Sequence, residues 1–156
     1  MESLITILLA WIGEHSTYDT TQMPVPAVIE LSPEALTREA YADAPEHIPA
    51  NGIDENLFAF YSWDKNDSGT IFIRPAEDTK GPRFGDSPLD NPVFKERLLH
   101  ELVHHVQYLD GAYERFPCKN SAEAEAYKLG AVFLQQENVP DPLPNRSMLI
   151  HYFGLC

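Results

Sequence analysis

The chain is predicted to fold as an α+β domain in which helices are segregated from a small antiparallel sheet. Three observations favour this class. Apolar residues recur at helical spacing in several stretches, two β-like runs flank a polar turn, and proline-rich connectors separate the elements. The length of 156 residues and a hydrophobic share of 44% indicate one soluble domain, 1–156, that can bury a core.

The first part of the chain is predicted to hold two helices and a short strand. Apolar residues at helical spacing predict a packed helix over about 3–14. This interpretation is favoured over a secretion signal because Glu2 is the only early charge and no basic residue precedes the run. A short apolar strand over 27–31 follows, and Ser32 then caps a helix over 33–41.

A β-hairpin is predicted next, from the runs 57–63 and 70–74 and the polar turn 64–69 between them. The turn also matches the first half of a calcium loop. The position of the closing glutamate is Pro75, however, so a plain turn is the favoured interpretation.

A long helix is predicted between Asn91 and Gly111. Asn91 is a suitable N-cap, Pro92 stands where its missing N–H costs nothing, and Gly111 provides the stop. The apolar stripe that predicts this helix consists of Val93, Phe94, Leu98, Leu99, Leu102, Val103, Val106 and Leu109.

The predicted long helix carries the motif H-E-x-x-H, with His100, Glu101 and His104 on its less apolar side. Histidines four residues apart lie one turn from each other on one face of a helix, so both imidazoles can bind one metal ion. The glutamate beside the first histidine can then take a proton from water at that metal. The pattern therefore predicts zinc-assisted hydrolysis.

A zinc site of this type needs a third protein ligand. Glu123 is the favoured candidate, because it opens a predicted helix over 122–136 that Asn120 can cap and in which Glu123 fits a capping-box position. Glu125 and Asp110 are the alternatives. Asp110 is less suitable because no glycine stands midway between it and His104 to turn the chain back.

The motif pair resembles the gluzincin group of zinc metallopeptidases, in which a glutamate in an E-x-x-A context completes the H-E-x-x-H site. The runs HELVHHVQ and ExEAY are similar to small, mostly uncharacterised bacterial proteins classed as zinc metallopeptidases. The resemblance covers about 57–137 and implies a minimal zincin-like fold, with His100, His104 and Glu123 as zinc ligands and Glu101 as general base. Tyr127 stands where the group usually has an Asp or Asn that often forms a hydrogen bond to a zinc-binding histidine. The resemblance therefore does not say which residue orients that histidine here.

The resulting hypothesis is a metallopeptidase that hydrolyses peptide or protein amides. Tyr127 lies on the same helical face as Glu123 and is a candidate to orient a ligand or polarise the substrate carbonyl. Tyr152, His151 and Arg146 are further oxyanion candidates. The run 70–74 is expected to be an exposed edge strand, with which an extended peptide can pair.

The alternative hypothesis is a non-catalytic zinc module with a closed site, in which His151 or Cys156 from the tail blocks the open position. Such a protein would serve binding or regulation. A hydrolase of another amide, such as a cell-wall peptide, has the same sequence signature as a protease.

The formal net charge of −13 argues against nucleic acid or an anionic membrane as partner, because both carry negative phosphates.

The two cysteines, Cys118 and Cys156, are equally compatible with a disulfide and with two free thiols. Composition assigns neither an oligomeric state nor a compartment. A cytoplasmic protein and a secreted or periplasmic one without its leader are both compatible.

Overall fold

The computed structural model describes residues 1–63 and 68–156 and has a mixed α+β architecture. The hairpin turn predicted at 64–69, with its calcium alternative, lies largely outside the described residues. In chain order the elements are α1 (Glu2–His15), β1 (Ala27–Glu30), α2 (Pro33–Ala40), β2 (Ala59–Ser62), β3 (Thr70–Ile73), α3 (Pro92–Leu109), α4 (Ser121–Gln136) and α5 (Arg146–Gly154).

The three strands form a mixed sheet in the order β1-β3-β2. The predicted antiparallel hairpin is present, with Ala59 opposite Ile73 and Ser62 opposite Thr70. The prediction of a purely antiparallel sheet is wrong, because β1 joins β3 in parallel, with Ala27 opposite Thr70. A parallel neighbour needs a long connection, and α2 lies in that connection here.

Helix α3 is the centre of the hydrophobic core. Its apolar stripe packs against α1, the sheet and α4, and Phe94, Leu98, Leu99 and Leu102 are fully buried. Two of the three predicted N-caps are confirmed: the side chain of Asn91 accepts from the backbone N–H of Val93 in α3, and that of Ser32 accepts from Ala35 N–H in α2. The cap predicted at Asn120 is wrong, because its side chain makes no hydrogen bond to the first turn of α4. The glutamate and histidine side chains of the motif are thus carried on the most deeply anchored element of the fold.

The remaining predicted helices are also present. The buried side of α1 carries Ile5, Leu8, Leu9 and Ile12, as expected for a packed helix. None of the described helices has the combination of length and hydropathy that crossing a bilayer requires.

Helix α5 was not predicted, because its residues show little apolar periodicity and follow three prolines. Tertiary contacts hold it instead. It packs along α4, and a disulfide joins Cys156 at its end to Cys118, which precedes α4. At its first residue, Arg146 forms a buried ion pair with Glu96 of α3.

Replacing both Cys118 and Cys156 with serine is expected to lower the free energy of unfolding by about 2–4 kcal/mol, because the disulfide closes a long loop in the unfolded chain. The two cysteines are 38 positions apart. Denaturant unfolding of the double variant and of the reduced wild type measures the loss. Equal midpoints for the reduced and oxidised wild type would contradict it.

Candidate metal centre

The side chains of His100, His104 and Glu123 converge at one point between α3 and α4. The two histidine Nε2 atoms are 3.2 Å apart. Each Nε2 also lies 3.2 Å from a Glu123 carboxylate oxygen, Oε2 for His100 and Oε1 for His104. The predicted pairing of the H-E-x-x-H histidines with Glu123 is therefore present in the fold.

These spacings suit three ligands of one tetrahedrally coordinated metal ion. Bonds of about 2.0–2.1 Å to zinc place neighbouring tetrahedral ligands about 3.3 Å apart. The two Nε2 atoms lie 3.2 Å apart, and each lies 3.2 Å from one of the two Glu123 oxygens. Two imidazoles and a carboxylate are also a ligand set found in catalytic zinc sites.

The charges at this point favour an ionised Glu123. Burial by itself raises the pKa of Glu123, but the hydrogen bonds from His100 and His104 outweigh it, so the pKa is lowered. For His104, burial lowers the pKa, and the hydrogen bond to Glu123 together with the charge of Glu101 produces a net increase. The carboxylates of Glu101 and Glu123 therefore stabilise a positive charge between the two histidines, whether it comes from protons on the imidazoles or from a bound cation.

Gln107 orients His104. Its Oε1 lies 2.9 Å from His104 Nδ1, while its Nε2 donates to the backbone carbonyl of Ala122 and to a carboxylate oxygen of Glu125. The two acceptors of Nε2 fix the orientation of the amide, and Oε1 therefore accepts a hydrogen bond from His104 Nδ1–H. In the neutral imidazole, the form that binds a metal, this arrangement leaves the lone pair of His104 on Nε2, the atom that points at Glu123.

The sequence pattern predicts Gln107, like Asp110, as a solvated residue on the surface of the long helix, and this prediction is wrong, because the side chain of Gln107 is fully buried. Helix α4 covers it and supplies both of its acceptors. Glu125, an alternative ligand from the sequence, instead accepts from Gln107 and from the Tyr18 hydroxyl. The capping box predicted for Glu123 is not formed, since its carboxylate faces the histidines.

Replacing Gln107 with methionine is expected to weaken zinc affinity by about 10- to 100-fold, because His104 loses the acceptor that sets its tautomer. Competition with a chromophoric chelator measures the dissociation constant. Gln135→Met, at an exposed position of α4, is the matched control. An unchanged zinc affinity in the Gln107 variant would show that the network does not support the ligand.

Glu101 lies beside the three ligands and is 8% exposed. Burial raises the pKa of its carboxyl group, while the nearby histidines and a backbone hydrogen bond from Tyr61 oppose this shift. The bond from Tyr61 joins the carboxylate to β2. Glu101 is thus held in place by the sheet as well as by its own helix, in a setting where a carboxylate is a stronger base than in water.

Two tyrosines line the same cleft. The ring of Tyr127, a predicted catalytic residue, lies edge-on to the His100 ring at a centroid distance of 4.7 Å. Sequence reasoning missed Tyr113, whose hydroxyl oxygen lies 3.4 Å from His104 Nδ1. Burial raises the pKa of both, that of Tyr113 to about 12, with the charge of Glu123 adding to each shift. Both hydroxyls therefore keep their protons at neutral pH and can donate hydrogen bonds.

The other candidates from the sequence lie elsewhere. Asp110 ends α3 and pairs with Arg115. His151 and Tyr152 are exposed on α5, and neither lines the cleft. Arg146 is buried against Glu96 and Asp141, so its charge is already compensated. His105 is a buried histidine with both ring nitrogens satisfied, by the Tyr61 hydroxyl and the Pro24 carbonyl.

The cleft has a volume of about 870 Å³ and runs from β2 across the three ligands to α5. The strand expected at the edge, 70–74, lies in the middle of the sheet, so that prediction is wrong. The two edge strands are β1 and β2, and residues 59–61 of β2 line the cleft. Strand β3 is central because β1 pairs with its other side, and among the described strands β2 pairs with β3 alone.

Comparison with known proteins places the chain in a family. No curated protein and no solved structure matches it. The family model described as "Domain of unknown function (DUF6647)" matches residues 1–143. This match spans most of the 156 residues, and the chain therefore belongs to the DUF6647 family.

Proposed function

We propose that this protein is a zinc-dependent hydrolase of peptide or amide bonds. The observation that carries the proposal is the convergence of His100, His104 and Glu123 at spacings suited to zinc, with the buried carboxylate of Glu101 beside them. A zinc ion held by these three groups would act as a Lewis acid and lower the pKa of a coordinated water toward neutrality.

The side chains around the ligands have complementary roles. Glu101 accepts a proton from water as the amide carbonyl is attacked, and passes it to the leaving nitrogen. The protonated hydroxyls of Tyr127 and Tyr113 face the cleft and supply the hydrogen-bond donors that a developing oxyanion requires. Gln107 keeps His104 in the tautomer that presents Nε2.

The number of ligands supports an enzyme over a closed zinc module. Structural zinc sites have four protein ligands, whereas catalytic sites have three and use the fourth position for water or substrate. The described residues supply three. The tail residues considered as blockers are engaged elsewhere, since Cys156 is disulfide-bonded and His151 is exposed on α5.

An extended peptide is the substrate class that suits the cleft wall. Strand β2 is an edge strand, and Phe58 O accepts from Arg74 N–H on the β3 side. In an antiparallel pair, the N–H and C=O groups of successive residues point alternately toward the partner strand and away from it. Those of Phe58 point toward β3, so those of Ala59 point away from β3 and toward the cleft. A substrate strand that pairs there would carry its amide past Glu101.

The test combines metal analysis with cleavage of a peptide library. We expect about one zinc per chain, cleavage by the zinc-loaded protein, loss of cleavage after chelation and recovery when zinc is added back. Circular dichroism of the chelated protein checks that the fold persists. If the zinc-loaded, folded protein cleaves no peptide and no cell-wall stem peptide, the proposal is overturned in favour of the non-catalytic module.

A further inference from the structure

One arginine in the cleft has a charge with no carboxylate partner among the described residues. Arg97 lies on α3, one turn before His100, and lines the cleft together with Phe58. Its guanidinium carbon is 3.6 Å from the centroid of the Phe58 ring. Its one hydrogen bond to the described residues is a long one, 3.4 Å from Nη1 to the hydroxyl oxygen of Thr79.

Among the described residues, Arg38 and Arg83 also have no carboxylate within 4.0 Å, but both are exposed, whereas Arg97 is half-buried. Three other arginines have carboxylates within 4.0 Å: Arg146 with Glu96 and Asp141, Arg115 with Asp110, and Arg74 with Glu55. Burial lowers the pKa of Arg97 to about 10. The group is thus partly desolvated but still cationic at neutral pH, and pairing with an anion would compensate its lost hydration.

We propose that Arg97 is a carboxylate-binding subsite that makes this protein select substrates with a carboxylate close to the cleaved amide. The proposal rests on the hydrolase function proposed above. A guanidinium presents a planar fork of N–H donors that matches a carboxylate, and stacking on Phe58 holds that fork in one orientation.

The charges around the cleft give the substrate one direction. The amide to be cleaved has to lie at the cluster of His100, His104 and Glu123. Arg97 is positive and lies one helical turn away. Arg74 adds to the same positive region, because its guanidinium carbon lies 4.9 Å from the centroid of the Phe58 ring. A substrate carboxylate therefore binds at the Arg97 end and leaves its amide at the metal.

Binding of small probes tests the subsite without any cleavage. The probes are the monohydroxamates of succinic, glutaric and adipic acids, each compared with the form whose carboxylate is replaced by a neutral amide. The hydroxamate ligates zinc, and the series of lengths spans different distances to Arg97. For at least one length, we expect the acid to bind wild-type protein about 10- to 100-fold more tightly than the amide in calorimetric titration.

The variants assign this preference to Arg97. Arg97→Gln is expected to bind acid and amide equally, and Arg97→Lys to keep part of the difference, since a lysine retains the charge but not the fork. Lys95→Gln removes the same charge from the same helix at a position that does not line the cleft, and it should keep the full preference. Thermal unfolding of each variant checks that the fold persists.

Each outcome separates the two proposals. If hydroxamates bind but show no preference for the acid, or if Arg97→Gln keeps that preference, the subsite is overturned and the metal site stands. If no hydroxamate binds the zinc-loaded protein, the hydrolase proposal fails and the subsite fails with it.

The substrate carboxylate can come from the C-terminus of a peptide or from an acidic side chain, and cleavage rates distinguish these two sources. One arm compares peptides with a free and an amidated C-terminus, and the other compares Glu with Gln beside the cleaved bond. A rate that falls by about 10-fold or more on amidation identifies the chain terminus as the group bound, and a similar fall from Glu to Gln identifies an acidic side chain. Equal rates in both arms would overturn the subsite.

Discussion

Replacing Glu101 with glutamine is expected to abolish amide hydrolysis while zinc remains bound. The amide has the size of the carboxylate but cannot accept a proton, and general acid–base catalysis contributes about 10²–10⁴ in rate. Glu101 does not belong to the three-residue ligand group, so the zinc content should equal that of the wild type. Metal analysis and single-turnover cleavage of one library peptide measure the two effects.

The control for this variant is Glu114→Gln, which removes one negative charge at an exposed position outside the cleft. It should cleave at the wild-type rate. If Glu101→Gln cleaves within a few-fold of the wild type, Glu101 is not the general base. If it loses zinc together with cleavage, the residue supports the metal site instead of proton transfer.

Replacing Arg146 with leucine is expected to destabilise the fold by about 3–5 kcal/mol, because removal of one partner leaves a buried carboxylate uncompensated. Arg146 is 3% exposed and Glu96 is 4% exposed, and their Nη1 and Oε1 atoms are 2.7 Å apart. Gly130 of α4 makes room for this pair, since a Cβ atom there would contact both side chains. Denaturant unfolding measures the loss.

The double variant Glu96→Leu/Arg146→Leu tests the physical cause of that loss. Since it removes both charges, it should be less destabilised than the sum of the two single variants. Losses that simply add would show that Arg146 acts through packing alone. Because the pair joins α5 to α3, the single variant should also loosen the α5 wall of the cleft, which hydrogen exchange in α5 can detect.

Local patterns were sufficient to predict the long helix and its motif. The caps of α3, its apolar stripe and the two histidines one turn apart are all encoded within about 20 consecutive residues. Helix geometry alone then places both imidazoles on one face. Glu123 was favoured over Glu125 because it opens the helix and stands in the E-x-x-A context of the resemblance, but its contact with the histidines depends on how α4 packs on α3.

The polar residues around the ligands could not be assigned from local sequence. Gln107 has the pattern of a surface residue and becomes buried because α4 covers it and supplies Ala122 and Glu125 as acceptors. Its spacing of three residues from His104 was a usable signal, because residues three apart share a helix face. Tyr113 follows the helix in a short turn and shows no such spacing.

The amino-acid sequence alone therefore determined which residues share a helix face: the two histidines, the glutamate between them and the apolar stripe. The tertiary structure alone decided the parallel pairing of β1 with β3, the existence of α5 and the isolation of Arg97 beside the cleft. The physical reason is the distance along the chain over which the interacting residues are separated. Helix periodicity is a property of neighbours along the chain, whereas strand order, burial and the pairing of charges depend on residues tens of positions apart that meet only in the folded state.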